Sequence, residues 1–393
     1  MFAVFPSARK VLRALALPLI ALTLAACDAV PGAGFGGGPN LNSGEAVPVA
    51  LLVPGGSGQT TDELLAQSLE NAARLAMRDL NGASIDLRVY QTGGDASTAA
   101  AQATKAVDEG AKIILGPVYA ASANAVGNAV AGKNISVLSF SNNAAIAGGN
   151  VFVLGPTFQN TANRMVSYAR AQGKQRFVVV HGQDSAGTAG RDAISSAVLS
   201  QGGFLVSSVS YALSQQDVIA AIPQIKSAVE SNAADAVFMT TDTASALPLL
   251  SQLLPEAGVS TDTSQFIGLT RWDIPAQTLS LPGVQGGWFA VPDPSASATF
   301  SAKYQSAYGG VPHPIGGLAF DGIAAIGALV SQGNSNALSG AALTQGAGFR
   351  GASGIFRLLP NGTNQRGLAV ATIIDAQVSI LSPAPQSFGG AGS

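Results

Sequence analysis

Short apolar runs alternate with stretches in which apolar residues recur every three or four positions, from residue 47 to about residue 270. VPVALLV at 47–53 is an unbroken apolar run with β-branched content, which predicts a buried strand. Residues 62–80 place Leu65, Leu69, Ala72, Ala76 and Leu80 on one stripe, which is helical spacing, with Thr61 or Asp62 as cap and Asn81-Gly82 as stop. IDLRVYQT at 85–92 alternates like a strand; a helix over 96–109, the strand KIILG, a helix near 122–131 and the strand ISVLSF at 135–140 follow. The rhythm restarts after Gly155. A helix over 158–172 leads to the strand RFVVVH at 176–181, then come a helix near 188–200, GFLVSSVSY, a helix near 215–231, ADAVFMT at 234–240, a helix near 243–254 and QFIGL. Strand–helix alternation with short connections predicts α/β architecture, each unit a parallel-rich sheet covered by helices on both faces. Two such units lie in tandem. The apolar helix PIGGLAFDGIAAIGALV at 314–330 must pack on one of them.

The two ends break this rhythm. Arg9, Lys10 and Arg13 precede the apolar run ALALPLIALTLAA at 14–26, which is short for a bilayer span and holds Pro18. It ends in Leu24-Ala25-Ala26-Cys27, which resembles a bacterial lipobox, so Cys27 is the expected lipidation site and residues 1–27 the expected lipoprotein signal peptide. Two or three acyl chains would hold the protein on the periplasmic side of a membrane. Asp28 resembles the enteric signal for inner-membrane retention. Residues 28–45, DAVPGAGFGGGPNLNSGE, read as a flexible tether, and 382–393 as a disordered tail.

Composition narrows the chemistry. The 393 residues suit about two domains, and 47% hydrophobic residues supply sizeable cores. Twenty basic against 22 acidic residues, with no basic patch, argue against nucleic acid as a partner. Cys27 is the sole cysteine and there are two histidines, so disulfides within the chain are excluded and neither a transition-metal site nor a cofactor is expected. PGGSGQT lacks the lysine of a phosphate loop, and no G-x-S-x-G elbow exists. His181, Ser185 and Asp184 share one short loop, where His181 reads as a strand-end residue rather than a catalyst; His313, between two prolines, reads as a turn residue. An enzyme is therefore not expected.

Ligands in open parallel sheets sit beyond the carboxyl ends of strands, where loops meet helix N-termini. PGGSGQT at 54–60, GPVYAAS at 116–122 and SFSNN at 139–143 are rich in glycine and hydroxyls there. They offer Ser57, Tyr119, Ser122, Ser141 and Asn142 as ligand-binding residues, although the same residue types also serve as caps and turns. Trp272 and Trp288 line a cleft or fill a core.

These segments, together with AVDEGAKIILGPVYAASANAV, VFVLGPT and GGWFAVPDP…FSAKYQSAYGGVPHPIGGLAFDGIAAI, resemble in order and spacing the type I periplasmic binding proteins, the leucine-binding-like receptors of ABC importers. The resemblance covers roughly residues 46–380. It implies two Rossmann-like lobes joined by three crossovers with a ligand between them. The N-terminal lobe would comprise 46–156 and 291–330, and the C-terminal lobe 157–290 and 331–381. It implies a small polar, amino acid-like ligand, with Ser122 and Ser141 or Asn142 at the positions that hold carboxylate and amine. The second lobe departs from that pattern. The expected aromatic ring near Ala186 is missing, and the expected acid after QFIGL falls at Thr270 or Arg271, leaving Asp184, Asp242, Arg271 and Trp272 as candidate contacts, with Asp273 as another acid. IGLTRWDIP and GGWFAVPDP also resemble alphaproteobacterial lipoproteins called penicillin-binding protein activators. The implied partner is thus an ABC permease or a penicillin-binding protein.

Overall fold

The computed structural model describes Met1, residues 37–42 and residues 44–389; Cys27 and Asp28 lie outside the described residues. The first lobe runs β1 (Val47–Val53), α1 (Thr60–Arg78), β2 (Ile85–Gln91), α2 (Ala96–Asp108), β3 (Ile113–Leu115), α3 (Ala120–Val130), β4 (Val137–Ser139) and β5 (Val151–Val153). All five strands are parallel in the order β2-β1-β3-β4-β5. Central β1 is buried on both faces, whereas edge strand β2 is half-buried along most of its length, which is why the first reads as a continuous apolar run and the second alternates.

The second lobe runs α4 (Phe158–Ala171), β6 (Arg176–Gly182), α5 (Ser185–Ser200), β7 (Phe204–Tyr211), α6 (Gln215–Ser231), β8 (Ala236–Met239), α7 (Leu247–Glu256), β9 (Gln265–Gly268) and β10 (Trp288–Pro292). The chain then returns to the first lobe through α8 (Pro294–Tyr308), α9 (Gly317–Val330), α10 (Gly340–Leu343), β11 (Phe349–Gly351), β12 (Gly354–Leu358) and β13 (Asn364–Arg366). It ends in the second lobe with β14 (Leu368–Ile374) and β15 (Gln377–Ser382). The second sheet has the order β15-β14-β10-β9-β8-β6-β7, parallel from β7 to β10 and antiparallel at β14 and β15.

The three crossovers follow β5, β10 and β13. The last differs from the expected one after Val330. Leu338, Leu343, Phe349, Phe356 and Leu358 share one core with α1 and α9, so residues 331–366 belong to the first lobe and the boundary moves to Gly367. Helix α9 is apolar almost all round because it is covered by α1 on one side and β11 on the other. Its glycines allow that closeness: a Cβ on Gly327 would lie 2.3 Å from Leu80 Cδ2, and one on Gly322 2.6 Å from Leu115.

Both expected flexible ends are in part packed. Leu41 lies against the first-lobe core and its N–H donates to Ser335 O at 2.7 Å, so the tether is tied down there. At the other end Ala384 and Phe388 are buried, and Gln386 Nε2 donates to Asp293 Oδ2 at 2.9 Å, so the expected disorder from 382 is corrected as far as Gly389.

Candidate functional site

The strand orders fix where a ligand can sit. β2 and β3 flank β1 on opposite sides, and β7 and β8 flank β6 likewise, so the winding reverses between β1 and β3 and between β6 and β8. At such a switch point adjacent loops diverge and open a crevice beyond the carboxyl ends of the strands. The first switch point brings together the loops after β1 and β3, and with them Ser57, Tyr119 and Ser122. The second brings together the loops after β6 and β8, with Asp184 and Asp242.

Tyr119 is fixed at the first crevice by two contacts. Its ring packs on Gly94, whose Cβ, if present, would lie 3.2 Å from Tyr119 Cε2. Its hydroxyl donates to Asp62 Oδ1 on α1. That bond to a carboxylate, reinforced by burial and by the Asp62 charge, pushes the phenol up to about 12, so it stays a donor at neutral pH. Glu63 Oε1 accepts from Gly56 N at 2.7 Å and braces the loop that carries Ser57, whose own Oγ accepts from Gln59 N at 3.1 Å. Helix α3 starts without a side-chain cap, and Ser122 in its first turn is 1% exposed with an unpartnered Oγ. An unpaired buried hydroxyl beside uncapped amides costs stability and leaves both free to meet a ligand or a water.

At the end of β4, Ser141 Oγ accepts from Asn143 N at 3.1 Å, keeping its proton available, while Asn142 is exposed. Ser141 lies hard against the first crossover, since a Cβ on Gly155 would meet Ser141 O at 2.5 Å. In the second lobe Asp184 caps α5 through Gly187 N at 2.7 Å, and Asp242 Oδ1 accepts from Ala244 N at 3.1 Å. Arg271 is exposed and forked onto Asp273, with Nε to Oδ1 at 2.9 Å and Nη2 to Oδ2.

A cavity of about 330 Å³ connects the lobes at the hinge. Its walls include Arg271 of the second lobe, Ser301 and His313 of the first, and Pro156, Pro292 and Leu368 of the crossovers.

A family model described as "Periplasmic binding protein" matches residues 46–377. The chain belongs to the periplasmic binding protein family. Its fold is of type I, α/β with two lobes and parallel-rich sheets. A comparison with curated proteins found no match. Among solved structures, a branched-chain amino acid ABC transporter periplasmic ligand-binding protein from Burkholderia xenovorans is similar over 88% of this chain and 97% of its own, at 17% identity and a TM-score of 0.66. An ABC transporter substrate-binding protein from Desulfitobacterium hafniense in complex with Leu matches 86% of this chain and 100% of its own, at 17% identity and a TM-score of 0.62. A solute-binding protein from R. palustris in complex with benzoate matches 87% of this chain and 98% of its own, at 18% identity and a TM-score of 0.54.

In this periplasmic binding protein Trp272 is corrected from cleft contact to core. It is fully buried, stacks on Phe289 at 6.3 Å, and fills the space left by Gly268 and Gly287, where a Cβ would lie 2.4 Å from the indole. Trp288 likewise packs edge-on against Tyr168 at 5.0 Å. His181 Nδ1 lies 2.8 Å from Gly182 O at the end of its strand. Among the described residues no cluster of three or more His, Cys, Asp or Glu could hold a metal, and no helix is long and apolar enough to cross a membrane.

Sequence reasoning expected three crossovers but missed the residues that hold them together. Asp321 on α9 and Arg366 on β13 form a buried ion pair at 2.9 Å. Burial pushes the Asp321 carboxyl up, while the guanidinium and the Ala352 N–H, 2.7 Å from Oδ1, pull the other way. Arg366 Nε donates to Leu154 O at 3.1 Å, and Asn364 Nδ2 donates to Val153 O and Gly155 O, each at 2.8 Å. The carbonyls of the first crossover are thus held by the strand that leads into the third. One signal was available: Asp321 is the only charge between residues 314 and 330.

Proposed function

We propose that the protein is a membrane-anchored, extracytoplasmic receptor of an ABC importer that holds a small polar ligand, an amino acid or a similar carboxylate, between its lobes. One observation carries the reading: each lobe ends in a switch-point crevice, and a cavity shared by both lobes lies at the crossovers. Membership of the family and likeness to solute-binding proteins captured with Leu and with benzoate support it. Ser57, Tyr119, Ser122, Ser141 and Asn142 would seat the ligand on the first lobe; Asp184, Asp242 and Arg271 would close over it. Lipid attached at Cys27 would keep the receptor beside its permease, and Asp28 favours the inner membrane.

Thermal unfolding against a panel of amino acids and small carboxylates tests this. A ligand at a hundred times its Kd stabilises by about 2.7 kcal/mol. A saturable rise with one panel member, diminished in Ser141→Ala and Asn142→Ala, is expected. No response to any member, with capture of a penicillin-binding peptidoglycan synthase, would replace the receptor by a docking module on the same fold.

A further inference from the structure

The hinge cavity carries a chemical preference. Arg271, on the loop after β9, is oriented by Asp273 through Nε and Nη2, and its Nη1 has no partner among the described residues. His313 Nδ1 accepts from Ile315 N at 3.3 Å, which places the ring proton on Nε2 as an unpartnered donor. Ser297 and Ser301 stand one turn apart on α8, on one face of the helix, and neither Oγ has a hydrogen-bond partner among the described residues. All four line the cavity, and no carboxylate does. Ile315 and Leu318 supply apolar wall.

The carboxylates of the neighbouring crevices each hold a loop amide or a side chain, and none of them lines the hinge cavity. In the first lobe Asp62 accepts from Tyr119, Glu63 from Gly56 N, and Asp95 Oδ1 from Thr98 N at 2.7 Å. In the second, Asp184 and Asp242 hold their own loops, and Asp273 holds Arg271. An ammonium in the cavity itself would find no lining carboxylate, whereas a carboxylate would meet donors already in place.

We infer that the hinge cavity, with Arg271, His313, Ser297 and Ser301, is the seat of a small carboxylate with a short apolar body and no amine. This rests on the receptor reading but moves the acid group to the hinge end of the space between the lobes, since of the residues proposed above to hold the ligand only Arg271 lines this cavity. Because Arg271 comes from one lobe and the other three residues from the opposite lobe, such a ligand ties the lobes together. A volume of about 330 Å³ lies at the small end of ligand pockets, which suits an acid of this kind and excludes a long chain.

The experiment is calorimetric titration of the full-length protein with 4-methylpentanoate, benzoate, leucine and leucinamide. At least one of the two simple acids should bind at least tenfold more tightly than leucine, and leucinamide should not bind. Arg271→Gln should weaken acid binding at least tenfold and Arg271→Lys less, with both variants unfolding at temperatures near that of the unaltered protein because the side chain is exposed. Leucine binding as tightly as the simple acids, or acid binding untouched by Arg271→Gln, overturns the inference and leaves the receptor reading standing. Absence of heat with all four, in a protein that unfolds cooperatively, overturns the inference and leaves the receptor reading to the wider panel.

Discussion

Ser122 shows how a single side chain can report on function. Its hydroxyl is sealed in the first turn of α3 without a partner, and removing an unsatisfied buried polar group recovers part of a desolvation cost of about 1–3 kcal/mol. Ser122→Ala should therefore stabilise the ligand-free protein, by about 1 kcal/mol in denaturant titration; a loss of stability would mean that a bound water or a backbone group already satisfies it. His313 makes a second residue-scale prediction. Burial pushes its imidazole below the ordinary value of 6.5. The unfolded chain then takes up a proton at a higher pH than the folded one. The contribution to stability is complete above pH 6.5 and falls as the pH drops through the window below it. The melting temperature of the unaltered protein should decline more steeply from pH 7 to 5 than that of His313→Gln; parallel profiles would remove His313 from the account. Residue chemistry of this kind was only partly legible in the sequence. The glycine- and hydroxyl-rich loops announced Ser57, Ser122 and Ser141 because turn residues cluster there. Nothing local distinguished Trp272 in a core from Trp272 in a cleft, since that depends on Gly268 and Gly287 making room for the ring.

Elements were easier to read than their partners. Periodicity located α1 and β1 to within a residue or two because each has one simple environment, a single buried stripe or two buried faces. The segment 331–366 was assigned to the wrong lobe for the opposite reason. The segment is rich in Gly, Ser and Asn, and its three short strands pair only with one another, so its membership is decided by where Phe349, Phe356 and Leu358 pack. The same segment delivers the hinge. Asp321→Asn would leave the Arg366 charge buried without a counter-ion, and breaking one half of a buried pair costs about 3–5 kcal/mol. A smaller effect belongs to the start of α4, where Thr157 Oγ1 accepts from Asn160 N at 3.3 Å and Asn160 Oδ1 from Thr157 N at 2.9 Å. Thr157→Ala should cost about 1 kcal/mol through loss of this capping box. Equilibrium unfolding of both variants checks the ranking; an Asp321→Asn protein no less stable than Thr157→Ala would mean that the pair contributes little to holding the crossovers.

The whole molecule is organised so that the chain passes three times between lobes within one polar knot. Asn364 and Arg366 bind the carbonyls of Val153, Leu154 and Gly155, Asp293 N donates to Ser353 O at 3.1 Å, and Arg164 of α4 donates from Nε to Leu368 O at 2.7 Å. Rotation about such a knot opens or closes the space between the lobes while each sheet stays intact, the hinge mode known for proteins that enclose ligands. The central claim is that a ligand draws the two lobes together. Small-angle X-ray scattering of the full-length protein, with and without a saturating ligand from the titration series, tests it most directly. A smaller radius of gyration on saturation, returning to the ligand-free value in Arg271→Gln at the same concentration, is the predicted result; a radius unchanged by a ligand that demonstrably binds would contradict it.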